Sequence, residues 1–378
     1  MSEKMPGLRI DHLHVQKPVI QGGMGVGISL SGLASAVANA GGIGVISSVG
    51  IGMLEKNPHL NYRKNNLHLL KREIRKARSL TNGVLGINIM VAISDYDALL
   101  TTAFDEEIDI VFLGAGLPLK LPETITPHRL KTAKTKVGVI VSSGRAARLI
   151  FQTWQKKFNH VPDVVVLEGP RAGGHLGFKK DQLFDPAFAL ENLIPEVRPV
   201  AQHYARQFDK EIPVIAAGGI YTGADMFRIM ELGVQGVQMG TRFVATHECD
   251  ASPGFKQAYI DCEEKDITII ESPVGLPGRA IRNAFIDEIA AGSRKPFRCP
   301  WKCLKTCDFR SAPYCIAQAL TNARKGNMEE GYTFAGDNAY KVDEIISVQE
   351  LFNKLEKEYA AAAENALRQH LKSARIAV

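Results

Sequence analysis

Residues 212–244 read IPVIAAGGIYTGADMFRIMELGVQGVQMGTRFV, and this stretch limits the fold more than any other. The apolar run 213–217 has the continuous hydrophobicity of a strand buried on both faces, and it ends at Gly218-Gly219. Thr222 suits a helix N-cap, Met226, Ile229 and Met230 recur at helical spacing, and Gly233 supplies the stop before a second strand over 236–239. That strand also ends in glycine, at Gly240-Thr241. Two successive strand-loop units ending in glycine suit a phosphate, because bare backbone N–H groups can approach its oxygens and the neighbouring helix N-terminus adds a favourable dipole. In (β/α)8 barrels the loops after strands seven and eight commonly build such a site.

The rest of the chain supplies the other strands. Apolar runs over 18–22, 42–48, 84–90, 109–115, 136–143 and 163–168 alternate with helical patterns over 32–40, 59–80, 145–158 and 187–208, the first capped by Ser31. Eight strands at this spacing predict a closed parallel (β/α)8 TIM barrel over 1–248. A chain of 378 residues leaves room for an appendage, since such a barrel takes roughly 250. Residues 249–341 carry few strand signals and predict a helical and looped lid over the barrel mouth, and 342–377 predict a C-terminal helix on the barrel.

Apolar residues at 45% and charged residues at 23% fit a folded soluble protein, and a net charge of +6 without Lys/Arg blocks argues against nucleic acid. No apolar run approaches the roughly 20 residues needed to span a membrane. Residues 1–11 are polar and lack the apolar core of a secretory leader, so a cytoplasmic location is expected.

Three features carry chemistry. The loop Gly22-Gly23-Met24-Gly25-Val26-Gly27 lacks the later acidic residue of a dinucleotide fingerprint, and better fits backbone lying against a flat ring system. Asn88 is polar within an apolar strand; its amide serves either the barrel backbone or a bound ring. His175 follows strand six in EGPRAGGHLGF, at the rim where barrel enzymes place catalytic groups, and its side chain exchanges protons near neutrality.

The motifs QGGMG (21–25), GINIM (86–90), AGGHLG (172–177), AAGGI (216–220) and QMGTRF (238–243) resemble those of the nitronate monooxygenase (2-nitropropane dioxygenase) family of FMN-dependent barrels. That family is related to the flavin-dependent enoyl-acyl carrier protein reductases. The resemblance implies that Gly22, Gly23 and Met24 line the isoalloxazine and that Asn88 and Glu168 bond its ring or ribityl chain. It implies that Gly173 approaches the flavin, and that Gly218, Gly219, Gln238, Met239, Gly240 and Thr241 hold the phosphate. It places His175 against substrate, where an imidazole takes the α-proton of a nitroalkane or orients a nitronate before O2 reoxidises the flavin. Glu168 replaces a Gln common in nitronate enzymes and occurs in the reductase branch, so an NAD(P)H-dependent flavin reductase, of the enoyl-acyl carrier protein reductase or quinone reductase type, stays open. Arg171 could serve an anionic substrate or be a surface charge. A non-catalytic flavin or metal sensor is a third reading, and a homodimer is an open quaternary state.

Cys299, Cys303, Cys307 and Cys315 form a C-x3-C-x3-C-x7-C run, whose thiolates could enclose an iron-sulfur cluster or zinc or could simply pack the appendage. Cys249 and Cys262 read as structural.

Overall fold

The structure is a computed structural model that describes residues 4–55, 60–299 and 301–376. Eight parallel strands form its centre: β1 (Val19–Gln21), β2 (Gly44–Ser47), β3 (Leu85–Met90), β4 (Ile110–Gly114), β5 (Lys136–Val141), β6 (Val164–Glu168), β7 (Val214–Ala217) and β8 (Gly236–Met239). Their order is β1-β8-β7-β6-β5-β4-β3-β2, and a parallel bridge between Ile20 and Ile43 joins the two ends into a nearly closed barrel. All eight strands expected from the sequence are present, seven with slightly tighter bounds and β8 with the bounds expected.

Alternation along the strands divides the apolar side chains into two cores. Ile20, Val45, Ile110, Phe112, Val164, Val166 and Ile215 fill the interior. Ile46, Ile87, Val111, Val165, Val214 and Val237 point outward into the helical layer. Phe112 dominates the interior, and its space comes from missing side chains on both neighbours. A Cβ on Gly86 would stand 3.1 Å from its ring and one on Gly138 only 2.8 Å.

The barrel floor is closed by a hairpin, Leu8–Ile10 paired antiparallel with Leu13–Val15, which adds four buried apolar side chains to the inner core. Asp11 in its turn accepts from Lys136, the first residue of β5, at 2.6 Å. This hairpin was not expected, because its three-residue strands LRI and LHV each interrupt their apolar residues with a polar one and form no apolar run.

The helix Ser31–Asn39 is not capped by Ser31 as expected. Ser31 Oγ donates to buried Glu73 at 2.6 Å, while Asp250 from beyond the barrel accepts from the Leu30 and Leu33 N–H groups. The expected 59–80 helix is Tyr62–Leu80, with His59 outside the described residues. The C-terminal helix is Val348–Ile376, with residue 377 outside them. It packs on Gly223–Met230, where Glu358 accepts from the Gly223 N–H at 2.7 Å and Phe227 meets Tyr359 with ring centroids 5.5 Å apart.

The appendage is more than helix and loop. Strands β9 (Ile267–Glu271) and β10 (Pro277–Ile281) form an antiparallel hairpin, and β10 pairs with Gly174–His175 beyond β6. The sequence concealed β9 because ITIIE does not alternate, and β10 because it opens on a proline.

Phe112→Ala should lower the unfolding free energy by about 3–5 kcal/mol, because the flanking glycines cannot refill the space. Urea unfolding followed by circular dichroism checks this; a loss below about 1 kcal/mol would contradict the packing described.

Candidate active site

Three strand ends place polar side chains at the top of the barrel interior. Asn88 on β3, Glu168 on β6 and Gln238 on β8 share the inward parity of Gly86, Val166 and Gly236. All three are half-buried, and among the described residues none of their side-chain polar atoms has a hydrogen-bond partner. Their amides and carboxyl therefore converge at an open mouth as polar groups with no protein partner, available to a ligand. Burial alone pushes the Glu168 carboxyl up to about 7.

The Gly22–Gly27 loop lies directly above Asn88. A Cβ on Gly23 would stand 2.3 Å from the Asn88 Cβ, so only glycine lets the chain pass this close. The loop is anchored by Gln21, which donates to the Gly22 carbonyl at 2.5 Å and accepts from the Val45 N–H, and by Ser29, which accepts from the Met24 N–H at 2.9 Å.

Past β7 and β8 the backbone is open to an anion. Gly218 and Gly219 have φ of +93° and +80°, a conformation that favours glycine. Among the described residues the N–H groups of Gly218, Gly219 and Gly240 donate to no protein acceptor. At the helix N-terminus after β7, Thr222 and Asp225 form a capping box and Glu358 takes the Gly223 N–H, so the Asp225 and Gly223 backbone donors of the first turn are already engaged by side chains. Met239 contributes backbone only, its side chain being buried in the outer core while its carbonyl accepts from the Gly22 N–H.

The appendage closes on these loops through residues that no sequence motif marked. Buried Arg279 on β10 donates to the Pro170 and Ala172 carbonyls at 2.5 and 2.7 Å. Gly336 N–H donates to Thr241 Oγ1 at 3.0 Å, and Asn338 Nδ2 donates to the Gly219 carbonyl at 2.8 Å. Arg171 is half exposed and donates to Asp337 at 2.6 Å, acting as a clamp on the same segment. Gly173, which the resemblance brings near a flavin, packs on its open side against the appendage, where a Cβ would stand 2.5 Å from the Ala335 carbonyl carbon.

His175 is held by this lid. Its Nε2 lies 2.7 Å from Ser272 Oγ, and its ring meets Phe334 edge-on with centroids 4.9 Å apart. Burial pulls the imidazole down to about 4.

The four-cysteine segment also reaches the mouth, on the loop after β3. Cys303 carbonyl accepts from the Ser94 N–H at 3.0 Å, Lys305 N–H donates to the Ala92 carbonyl at 2.9 Å, and Ile93 bridges Leu304. Among the described residues no group of three or more His, Cys, Asp or Glu side chains could hold a metal ion. The iron-sulfur or zinc option weighed for Cys299, Cys303, Cys307 and Cys315 therefore finds no support among the described residues. Cys303 and Cys315 pack against a cluster of Met53, Tyr62 and Trp301, and burial, followed by the neighbouring thiols, pushes Cys303 up to about 12. Buried Cys249 and Cys262 are raised to about 11, also chiefly by burial.

A family model described as nitronate monooxygenase matches residues 7–107 and 91–358. The chain belongs to the nitronate monooxygenase family. It is 27% identical to a probable nitronate monooxygenase of Bacillus subtilis (strain 168), with 90% of this chain and 95% of that protein covered. A probable nitronate monooxygenase of Staphylococcus aureus (strain Newman) is 29% identical, with 74% and 79% covered. Among solved structures, FabK from Thermotoga maritima superposes with a TM-score of 0.72 at 28% identity, covering 94% of this chain and 96% of that one. A nitroalkane oxidase from Streptomyces ansochromogenes shares the fold, with a TM-score of 0.69 at 23% identity and 93% and 98% covered. This family member is an oxidoreductase of the flavin-dependent kind. No helix among the described residues is long and apolar enough to cross a membrane.

The His175 ring should remain neutral well below the ordinary histidine range. Its folded pKa lies under its unfolded one, so its contribution to stability is complete above about 6.5 and is lost as pH falls through about 4. Nuclear resonance shifts of the His175 ring should be flat from about pH 8 to about pH 5.5, whereas a midpoint near about 6.5 would contradict the burial described.

Proposed function

We propose that the chain is an FMN-dependent nitronate monooxygenase that oxidises alkyl nitronates with O2 to carbonyl compounds and nitrite. The observation that carries this reading is the convergence of unsatisfied groups on one mouth. Asn88, Glu168 and Gln238 offer polar contacts to a ring edge and a hydroxylated chain, and the free Gly218, Gly219 and Gly240 amides offer donors to a phosphate. A flavin mononucleotide has these parts in one molecule.

On this reading Gly22, Gly23 and Met24 lie against the isoalloxazine, while Asn88 and Glu168 bond its edge or the ribityl chain. Gly218, Gly219, Gln238, Gly240 and Thr241 hold the phosphate end, with Met239 supporting Gly22 through its carbonyl. Bound FMN supplies electron acceptance from substrate and reoxidation by O2. His175 orients the anionic substrate, and Phe334 with the β9–β10 hairpin excludes water around its ring. An NAD(P)H-dependent flavin reductase is the second reading, favoured by Glu168 and by the likeness to FabK.

His175→Ala should keep its FMN, since the ring is held by Ser272 and Phe334 of the lid, and should lose about 10²–10⁴-fold in kcat/KM for propyl-2-nitronate. Oxygen consumption and nitrite release, read beside the flavin absorbance, decide the matter. Wild-type turnover in the FMN-loaded variant would remove His175 from the reaction.

A further inference from the structure

Ser272 is buried at the turn that joins β9 to β10. Its N–H donates to the Leu276 carbonyl at 3.1 Å, and its carbonyl accepts from the Gly275 N–H at 2.9 Å. Its hydroxyl oxygen accepts from the Val274 N–H at 3.4 Å and lies 2.7 Å from His175 Nε2. The strand next to it, β10, pairs with the histidine's own main chain, Gly278 opposite His175 and Arg279 opposite Gly174. One hairpin thus fixes both the backbone and the ring of the residue placed against substrate.

The proton count at this contact favours one arrangement. A serine hydroxyl has one proton and two lone pairs. Were Nε2 protonated, Oγ would accept from both Val274 and His175, and the buried O–H would have no acceptor among the described residues. With the O–H donating to Nε2, the buried hydroxyl is fully paired, and the ring proton sits on Nδ1, which has no protein acceptor among the described residues but is not sealed from solvent. A buried donor left unpaired disfavours the first arrangement by about tenfold or more.

We infer that Ser272 is a positioning residue that holds His175 in the Nδ1–H tautomer and so restricts the site to substrates that arrive as preformed anions. A neutral imidazole whose Nε2 lone pair is engaged has a donor to offer and no free base. A nitronate needs a donor for its oxygens. A neutral nitroalkane needs a base for its α-proton, which this ring does not present. The inference rests on the reading of His175 as the substrate-facing residue, and it narrows that reading to nitronates over their conjugate acids.

The test uses the full-length, FMN-loaded protein with ¹⁵N-labelled histidine, with His175→Gln assigning the resonances. In the wild type and in Ser272→Thr, Nδ1 should be protonated and Nε2 bare at neutral pH. In Ser272→Ala the Nε2–H form should become populated. In kinetics, the wild type should favour propyl-2-nitronate over 2-nitropropane by about 100-fold or more in kcat/KM. Ser272→Ala should reduce that ratio at least about tenfold, and Ser272→Thr should preserve it. A protonated Nε2 in the wild type, or an unchanged ratio in a folded Ser272→Ala protein, overturns the inference. A wild type that turns over neither compound refutes the nitronate reading instead, and the tautomer measurement then decides the role of Ser272 alone.

Discussion

Strand parity is the constraint on which the site depends. Side chains two apart on a strand share a face, so Asn88, Glu168 and Gln238 inherit the inward direction of Gly86, Val166 and Gly236 below them. A slip of one residue in any of these strands would turn its polar group into the helical layer, where Ile87, Leu167 and Val237 are fully buried. Phe112 fixes the level beneath. It fills the interior between the glycines of β3 and β5, so the polar layer can form only above it, at the C-terminal ends of the strands.

The barrel alone does not complete the mouth. Loops after β6, β7 and β8 are each tied to residues beyond 270: Pro170 and Ala172 to Arg279, Gly219 to Asn338, Thr241 to Gly336. The loop after β3 is tied to Leu304 and Lys305, and Met53 and Tyr62 after β2 pack with Trp301. The appendage is therefore the outer wall of the mouth, and its cysteine segment contributes to that wall by packing and backbone pairing.

Much of this was legible in the sequence, for identifiable reasons. The eight barrel strands announce themselves because parallel strands buried on both faces are continuously apolar and end in glycine at the working rim. Asn88 and the glycine pairs stood out as exceptions within that pattern, and His175 by its place after β6, whereas Glu168 and Gln238 were marked only by the family resemblance. What was hidden depends on partners distant in the chain. Ser272 meets His175 across 97 residues and Asn338 meets Gly219 across 119, with no local signature at either end. Ser31 looked like a cap because a serine before a small-residue helix suits one, yet Glu73 and Asp250 from elsewhere divide that work. The cysteines were read from spacing alone, which does not reveal that Cys303 and Cys315 pack against Met53, Tyr62 and Trp301.

The central claim is that this mouth holds a flavin which nitronate reduces. Its most direct test is anaerobic: the absorbance near about 450 nm that marks an oxidised flavin, followed while propyl-2-nitronate, NADH and NADPH are added to separate samples. Prompt bleaching by the nitronate, with little by either nicotinamide, is the result this account predicts. Bleaching by NADH or NADPH with none by the nitronate would contradict it and make the protein a flavin reductase.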